Sequence, residues 1–182
     1  MKPYHPPGLY EQVVSGSSAD KYVQDKGESL YRRSLYTYWK RSVPNPAMLA
    51  FDMPFREACT VRRSRTTTPL QALNLLNDPT FVEAARFLAQ RMMREGGTSP
   101  ESRIRHGFRL ALCREPRPAE LDVLVRGWHR MEESFRADRP GAESLLAVGE
   151  SKADPALDPV ELAAYATVAS TLLNLDETIT KE

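Results

Sequence analysis

Apolar positions recur at helical spacing through the second half of this chain, and nearly every recurrence opens on the same device. A proline stands at the first helical position, where its missing N–H has no intrahelical partner. A capping residue precedes it in four cases of five. Thr68-Pro69, Asp78-Pro79, Ser99-Pro100, Arg117-Pro118 and Asp158-Pro159 supply the device. Thr68 with Gln71 reads as a capping box, and Asp158 with Glu161 as an acidic version of one. The pattern predicts helices over residues 69–76, 79–94, 100–114, 118–136, 141–148 and 159–175. The second aligns Phe81, Ala84, Ala85, Leu88 and Met92 on one face and stops at Gly96-Gly97. The third aligns Ile104, Phe108, Ala111 and Leu112. The fourth aligns Leu121, Leu124, Val125, Trp128, Met131 and Phe135. Residues 159–175 are apolar on nearly every face, which predicts an enclosed central helix.

The first third follows another pattern. "KPYHPPGLYEQ" is a proline-rich extended arm. "KYVQDKGESLYRRSLYTYWKR" carries a turn signal at Asp25-Lys26-Gly27, and Tyr31, Arg33, Leu35, Thr37 and Trp39 alternate as a strand does. Tyr31, Leu35, Tyr38 and Trp39 also fit a helix, so a small hairpin is the preferred of two readings. "VPNPAMLAFDMPFREACT" should be an ordered loop running over the helices, and "GESKADPALDP" a polar linker. The expectation is a mainly α, irregular domain of about five to six helices over residues 1–182. Residues 1–65 form its arm, possible hairpin and basic loop, and residues 66–182 its helical part.

Composition narrows the class without naming a function. Of 182 residues, 41% are hydrophobic and 27% charged, which excludes a wholly disordered chain. No apolar run approaches the ~18 residues of a membrane span, and the N-terminus shows no signal-peptide h-region. Cys59 and Cys113 form no CxxC or zinc spacing. Small buried hydrophobes are the expected reading of both, with a disulfide between them left open.

Charge changes the picture more. Residues 31–65 hold eight Lys/Arg against Asp52 and Glu57, a net +6, whereas residues 141–182 hold two Lys against eight Asp/Glu, a net −6. Either the basic half docks on the acidic half, or the basic half meets a polyanion. The basic density peaks at "ACTVRRSRTTTPLQALNLLND", with Arg62, Arg63 and Arg65. Two readings compete for these arginines. They can hold a long loop through charge-assisted bonds to Asp52, Glu57 or Asp78, which is the preferred one. Or they can form an anion site, for instance for acidic or sulfated polysaccharide.

Candidate chemistry is thin. Asp52 and Glu57 could be a carboxylate pair for hydrolysis, but as acids in a basic stretch they are more simply arginine partners. His5, His106 and His129 are scattered without metal spacing, and no metal or other cofactor is expected. No GxSxG elbow, phosphate loop or GxGxxG occurs. Arg32, Arg33, Tyr36, Tyr38, Trp39, Lys40 and Arg41 have the composition of a single-strand nucleic-acid surface. They lack any recognised nucleic-acid motif, so aromatics stacked by arginine explain them better.

"SLYRRSLYTYWKRSVPNPAMLAFDMPFREACTVRRSRTTTPLQALNLLNDPTFVEAARFLAQRM" resembles the C-terminal part of a planctomycete domain of unknown function, family 1553 (DUF1553, PSD1). Arg33, Trp39, Phe51, Asp52, Cys59, Arg62, Arg63, Arg65, Pro69, Gln71, Asn77 and Asp78 carry the resemblance. "LLAVGESKADPALDPVELAAYATVASTLLNLDETITKE" looks like that family's ending. The resemblance implies a fragment of a larger domain, in a large exported bacterial protein located in the periplasm or outside the cell. Such proteins often carry a cytochrome-like segment with CxxCH, which is missing from this sequence, so haem ligation is not carried over. No catalytic residues are implied. The remainder of its own longer polypeptide, or another protein, is the implied partner.

Overall fold

A computed structural model of the chain describes residues 1–5, 8–10, 22–40 and 43–180. Among them stand eight α-helices and no strand. They are α1 (Pro46–Ala50), α2 (Pro69–Asn77), α3 (Pro79–Glu95), α4 (Pro100–Leu112), α5 (Pro118–Ala137), α6 (Arg139–Leu146), α7 (Pro159–Leu173) and α8 (Asp176–Ile179). The mainly helical class is as the pattern predicts, and each of the five proline devices starts a helix. The single-turn α1 and α8 are additions that no periodicity announces. Two compact units divide the chain at 74/75, within α2, where the sequence changes character at 65/66.

Capping explains the helix starts. Asp78, Ser99 and Asp158 each accept a first-turn backbone N–H, at 2.8, 3.2 and 2.9 Å. Thr68 and Gln71 form the full reciprocal box, at 3.0 and 3.3 Å. Arg117 has no capping oxygen, and Glu120 instead reaches back to accept its N–H at 2.6 Å.

In residues 75–182, α7 packs against α3, α4, α5 and α6. Ala163, Ala164 and Ala169 allow close approach, and Leu162, Tyr165 and Leu172 fill the gaps, all fully buried. Met92, Ile104, Phe108, Leu121, Trp128 and Leu146 complete this core. A β-carbon at Gly107 would fall 2.6 Å from Met92 Sδ, so this glycine sets how closely α4 meets α3.

The buried face of α3 is rotated from the predicted stripe. Ala84 is exposed and Phe81 and Leu88 are half-buried, while Glu83, Ala85, Arg86, Ala89, Gln90, Met92 and Met93 turn inward. The charged pair causes the rotation. Arg86, only 2% exposed, donates from Nη1 to the carbonyls of Leu146 and Val148 at 2.5 and 2.7 Å. From Nη2 it donates to the carbonyl and Oγ of Ser151 at 2.7 and 2.5 Å, and to Glu83 Oε1 at 3.3 Å. Glu83 also accepts the Ser151 N–H at 2.8 Å. Gly149 adopts φ +91, and a β-carbon on it would lie 2.6 Å from Glu83 Cδ. The polar stretch after α6 is thus ordered by a buried ion pair, with both terminal nitrogens of Arg86 bonded and its Nε left without a partner among the described residues, rather than by apolar contact.

Acids of the C-terminal segment find arginines inside this same unit. Arg139 pairs with Glu143, Arg94 with Asp154, Arg103 with Glu161 and Arg114 with Glu177. Arg114 also grips Glu120 at 2.9 Å. That guanidinium, helped by the Arg117 N–H, holds the Glu120 carboxyl down at about 2.

In residues 1–74 the hairpin is not formed among the described residues. Two 3-10 turns stand there, Gly27–Tyr31 and Ser34–Tyr36. The tyrosines gather into a cluster instead of lining a ladder. Tyr10 stacks on Tyr22 at 4.7 Å, and His5 and Tyr38 meet them edge-on. Burial pushes the phenols of Tyr10 and Tyr22 above their ordinary value. Pro6, Pro7 and residues 11–21 of the arm and its sequel, with Arg41 and Ser42, lie outside the described residues. Cys59 and Cys113 are free and exposed, so neither the buried reading nor the disulfide holds.

Candidate functional site

Asp52 follows the last turn of α1 with φ 57, a left-handed conformation that aspartate tolerates better than most residues. The turn sends the chain outward and aims the carboxylate at Thr66. Asp52 accepts the Thr66 N–H at 2.8 Å, and its two oxygens lie 2.8 and 3.0 Å from Thr66 Oγ1. Gln71, buried in the first turn of α2, adds a second tie. Its Nε2 donates to the Ala50 carbonyl at 2.9 Å and to Thr66 Oγ1 at 3.3 Å. Ala50, Asp52, Thr66 and Gln71 thus clasp both ends of a loop, residues 53–65.

Within the clasp the loop is nearly free of the protein. From Pro54 to Arg65 no residue makes a hydrogen bond or an ion pair with another described residue. Arg56 makes a ring contact, its guanidinium lying 4.5 Å over the Trp39 ring. That stacking offsets a strained backbone, since Arg56 sits at φ 62. Residues 55–67 are all exposed, Phe55 at 66% and Val61 completely.

The structure therefore corrects the preferred reading of the arginines. Arg62, Arg63 and Arg65 point to solvent, and the expected pairs with Asp52, Glu57 or Asp78 are not made. Asp52 is engaged by Thr66, Asp78 caps α3, and Glu57 is exposed. Arg33 is also exposed, and its carbonyl accepts the Tyr36 N–H at 2.9 Å. Thr66, which sequence reasoning passed over, does the holding. The capping box announced Gln71 as a helix start, but nothing announced its long-range bond to Ala50.

Asp52 makes three short contacts with Thr66. Among the described residues, no group of three or more His, Cys, Asp and Glu is arranged to hold a metal ion. No helix among them is long and apolar enough to cross a membrane. In residues 75–182 an open cavity of about 560 Å³ lies beside the stretch after α6, lined by Leu146, Gly149, Ser151, Lys152, Asp154 and Leu162. Of its polar groups, Ser151 serves Arg86 and Asp154 serves Arg94. A second exposed feature is the row Leu70, Leu73 and Leu76 on α2, with 59, 59 and 49% of their surface open.

A family model described as PSD1, protein of unknown function (DUF1553), matches residues 1–128. The match covers the clasped loop and α1 to α4 and ends within α5. The segment read from the sequence as the family's ending lies beyond it. No curated protein and no solved structure matches the chain.

Proposed function

The chain belongs to the PSD1 family of proteins of unknown function (DUF1553), and from that premise we propose that it is a contact module without a reaction of its own. Its partner is protein: the remainder of its own longer polypeptide, or another chain of the same assembly. The observation that carries this reading is the exposed leucine row on α2. Three leucines at i, i+3 and i+6 form the apolar stripe by which a helix docks, and exposed apolar rows of this kind mark contact surfaces. The family resemblance supports export to the periplasm or beyond the cell, and a planctomycete source. The test is to express the chain alone and within its full reading frame, and to compare hydrogen exchange across Pro69–Asn77. Slower exchange in the longer protein is expected, and equal exchange overturns the reading.

A second reading rests on Arg62, Arg63 and Arg65, exposed and without a partner among the described residues. Such a cluster suits an acidic or sulfated polysaccharide. Screening the protein against sulfated and neutral glycans tests it, and no retention on either removes it. Nothing beyond composition favours nucleic acid.

A further inference from the structure

We propose that the clasped loop, residues 53–65, is a docking site for an extended acidic segment of a partner protein. The inference deepens the contact-module reading and rests on it. Three observations converge on this occupant. Charge comes first: Arg56, Arg62, Arg63 and Arg65 stand against Glu57 alone, a net +3 within the loop. The last three arginines are exposed and unpaired among the described residues. Their planar forks match carboxylates two bonds at a time.

Backbone comes second, and it decides between classes of partner. Residues 54–65 leave their main-chain groups unbonded among the described residues. The stretch Arg63 to Arg65, beyond the bends at 56–58 and 61–62, offers N–H and C=O groups to another main chain. A polysaccharide would use the arginines and leave those main-chain groups idle. Apolar surface comes third. Phe55 and Val61 are exposed beside the arginines, which suits a segment that mixes acidic with apolar side chains. A second copy of this chain is disfavoured as the source. Glu143, Asp154, Glu161 and Glu177 of its acidic part are each engaged by an arginine of their own unit. The Asp52–Thr66–Gln71 clasp fixes both loop ends before any partner arrives, which lowers the ordering cost of binding.

The experiment uses the whole chain and a fluorescein-labelled synthetic peptide of alternating Glu and Val, read by fluorescence anisotropy. A version with alternate backbone nitrogens methylated and a heparin fragment serve as comparators. Binding of the first peptide is expected, weakening as salt rises. The triple variant R62Q/R63Q/R65Q should weaken it by about tenfold, the sum of three exposed charge pairs. Backbone methylation should weaken it further, because the side chains are kept and the main-chain donors lost. Thr66→Val, which loosens the clasp, should weaken binding with helical content unchanged. Heparin binding without peptide binding overturns the proposal in favour of a polysaccharide site. No binding of either probe also overturns it, as does peptide binding that ignores both the arginine variant and backbone methylation. If the peptide fails while α2 is protected in the longer protein, this inference falls alone and the contact-module reading stands.

Discussion

Arg86 and Arg63 sit 23 residues apart in sequence and lead opposite lives. Arg86 is 2% exposed, and its terminal nitrogens reach three carbonyls, a hydroxyl and a carboxylate. Arg63 is exposed and binds nothing in the described chain. The first belongs to residues 75–182, where α3, α4, α5 and α6 pack around α7 and the buried guanidinium finds five acceptors. The second belongs to residues 1–74, where Tyr10, Leu30 and Met53 are the buried hydrophobics among the described residues. Charge density therefore says little about role. What separates the two arginines is whether a helix face carries the side chain inward or a clasped loop carries it outward.

The sharpest way to break this contrast is to truncate Arg86. Arg86→Ala leaves Glu83 buried and uncompensated, and the loss should be about 3–5 kcal/mol. A shift of the urea midpoint measures it, and a shift no larger than that of a surface variant would erase the distinction. Gly149→Ala comes next. It forces a β-carbon against Glu83 at a left-handed φ, and a cost of about 1–3 kcal/mol is expected from the same urea experiment.

Acid should then probe the exposed end of the same unit. Glu120 is held at about 2 by Arg114, against an ordinary 4.5. Its contribution is complete above the ordinary value and disappears as pH falls from 4.5 toward 2. The melting temperature should drop across that window, and Arg114→Gln should flatten the drop. Smallest of all is the effect of R62Q/R63Q/R65Q on folding, expected within about 0.5 kcal/mol. A larger loss in a thermal melt would return these arginines to a structural role.

Helices were legible in the sequence because their signals are local. A proline at the first position and an oxygen one residue earlier act within a single turn, so Pro69, Pro79, Pro100, Pro118 and Pro159 marked their starts correctly. α7 was legible as enclosed because it has no polar face. The α3 stripe was misjudged because apolar spacing alone takes no account of Glu83 and Arg86, which turn inward. Their partners, Ser151 and the carbonyls of Leu146 and Val148, lie some 60 residues onward, where spacing carries no information. One hint was available: Glu83, Arg86 and Gln90 share the helix face of Ala89 and Met93. The loop expected over 43–60 contains α1, and its sequel to Arg65 is irregular as expected but is not held by its arginines among the described residues. Three adjacent arginines are conspicuous in a sequence, whereas the Asp52–Thr66 bond needs the left-handed turn at Asp52 to exist at all.

The clasp at Asp52 and Thr66 has a consequence for how this family can vary. A loop closed at its base contributes to stability mainly through closure entropy, and doubling its length adds only about 0.6 kcal/mol. The stretch between the two residues can lengthen, shorten or change composition while the helices on either side keep their register. Mutational drift should therefore be cheap between Met53 and Arg65 and expensive at Asp52, Thr66 and Gln71. A protein built this way can rewrite the exposed positions 55–65 with no compensating change in its core.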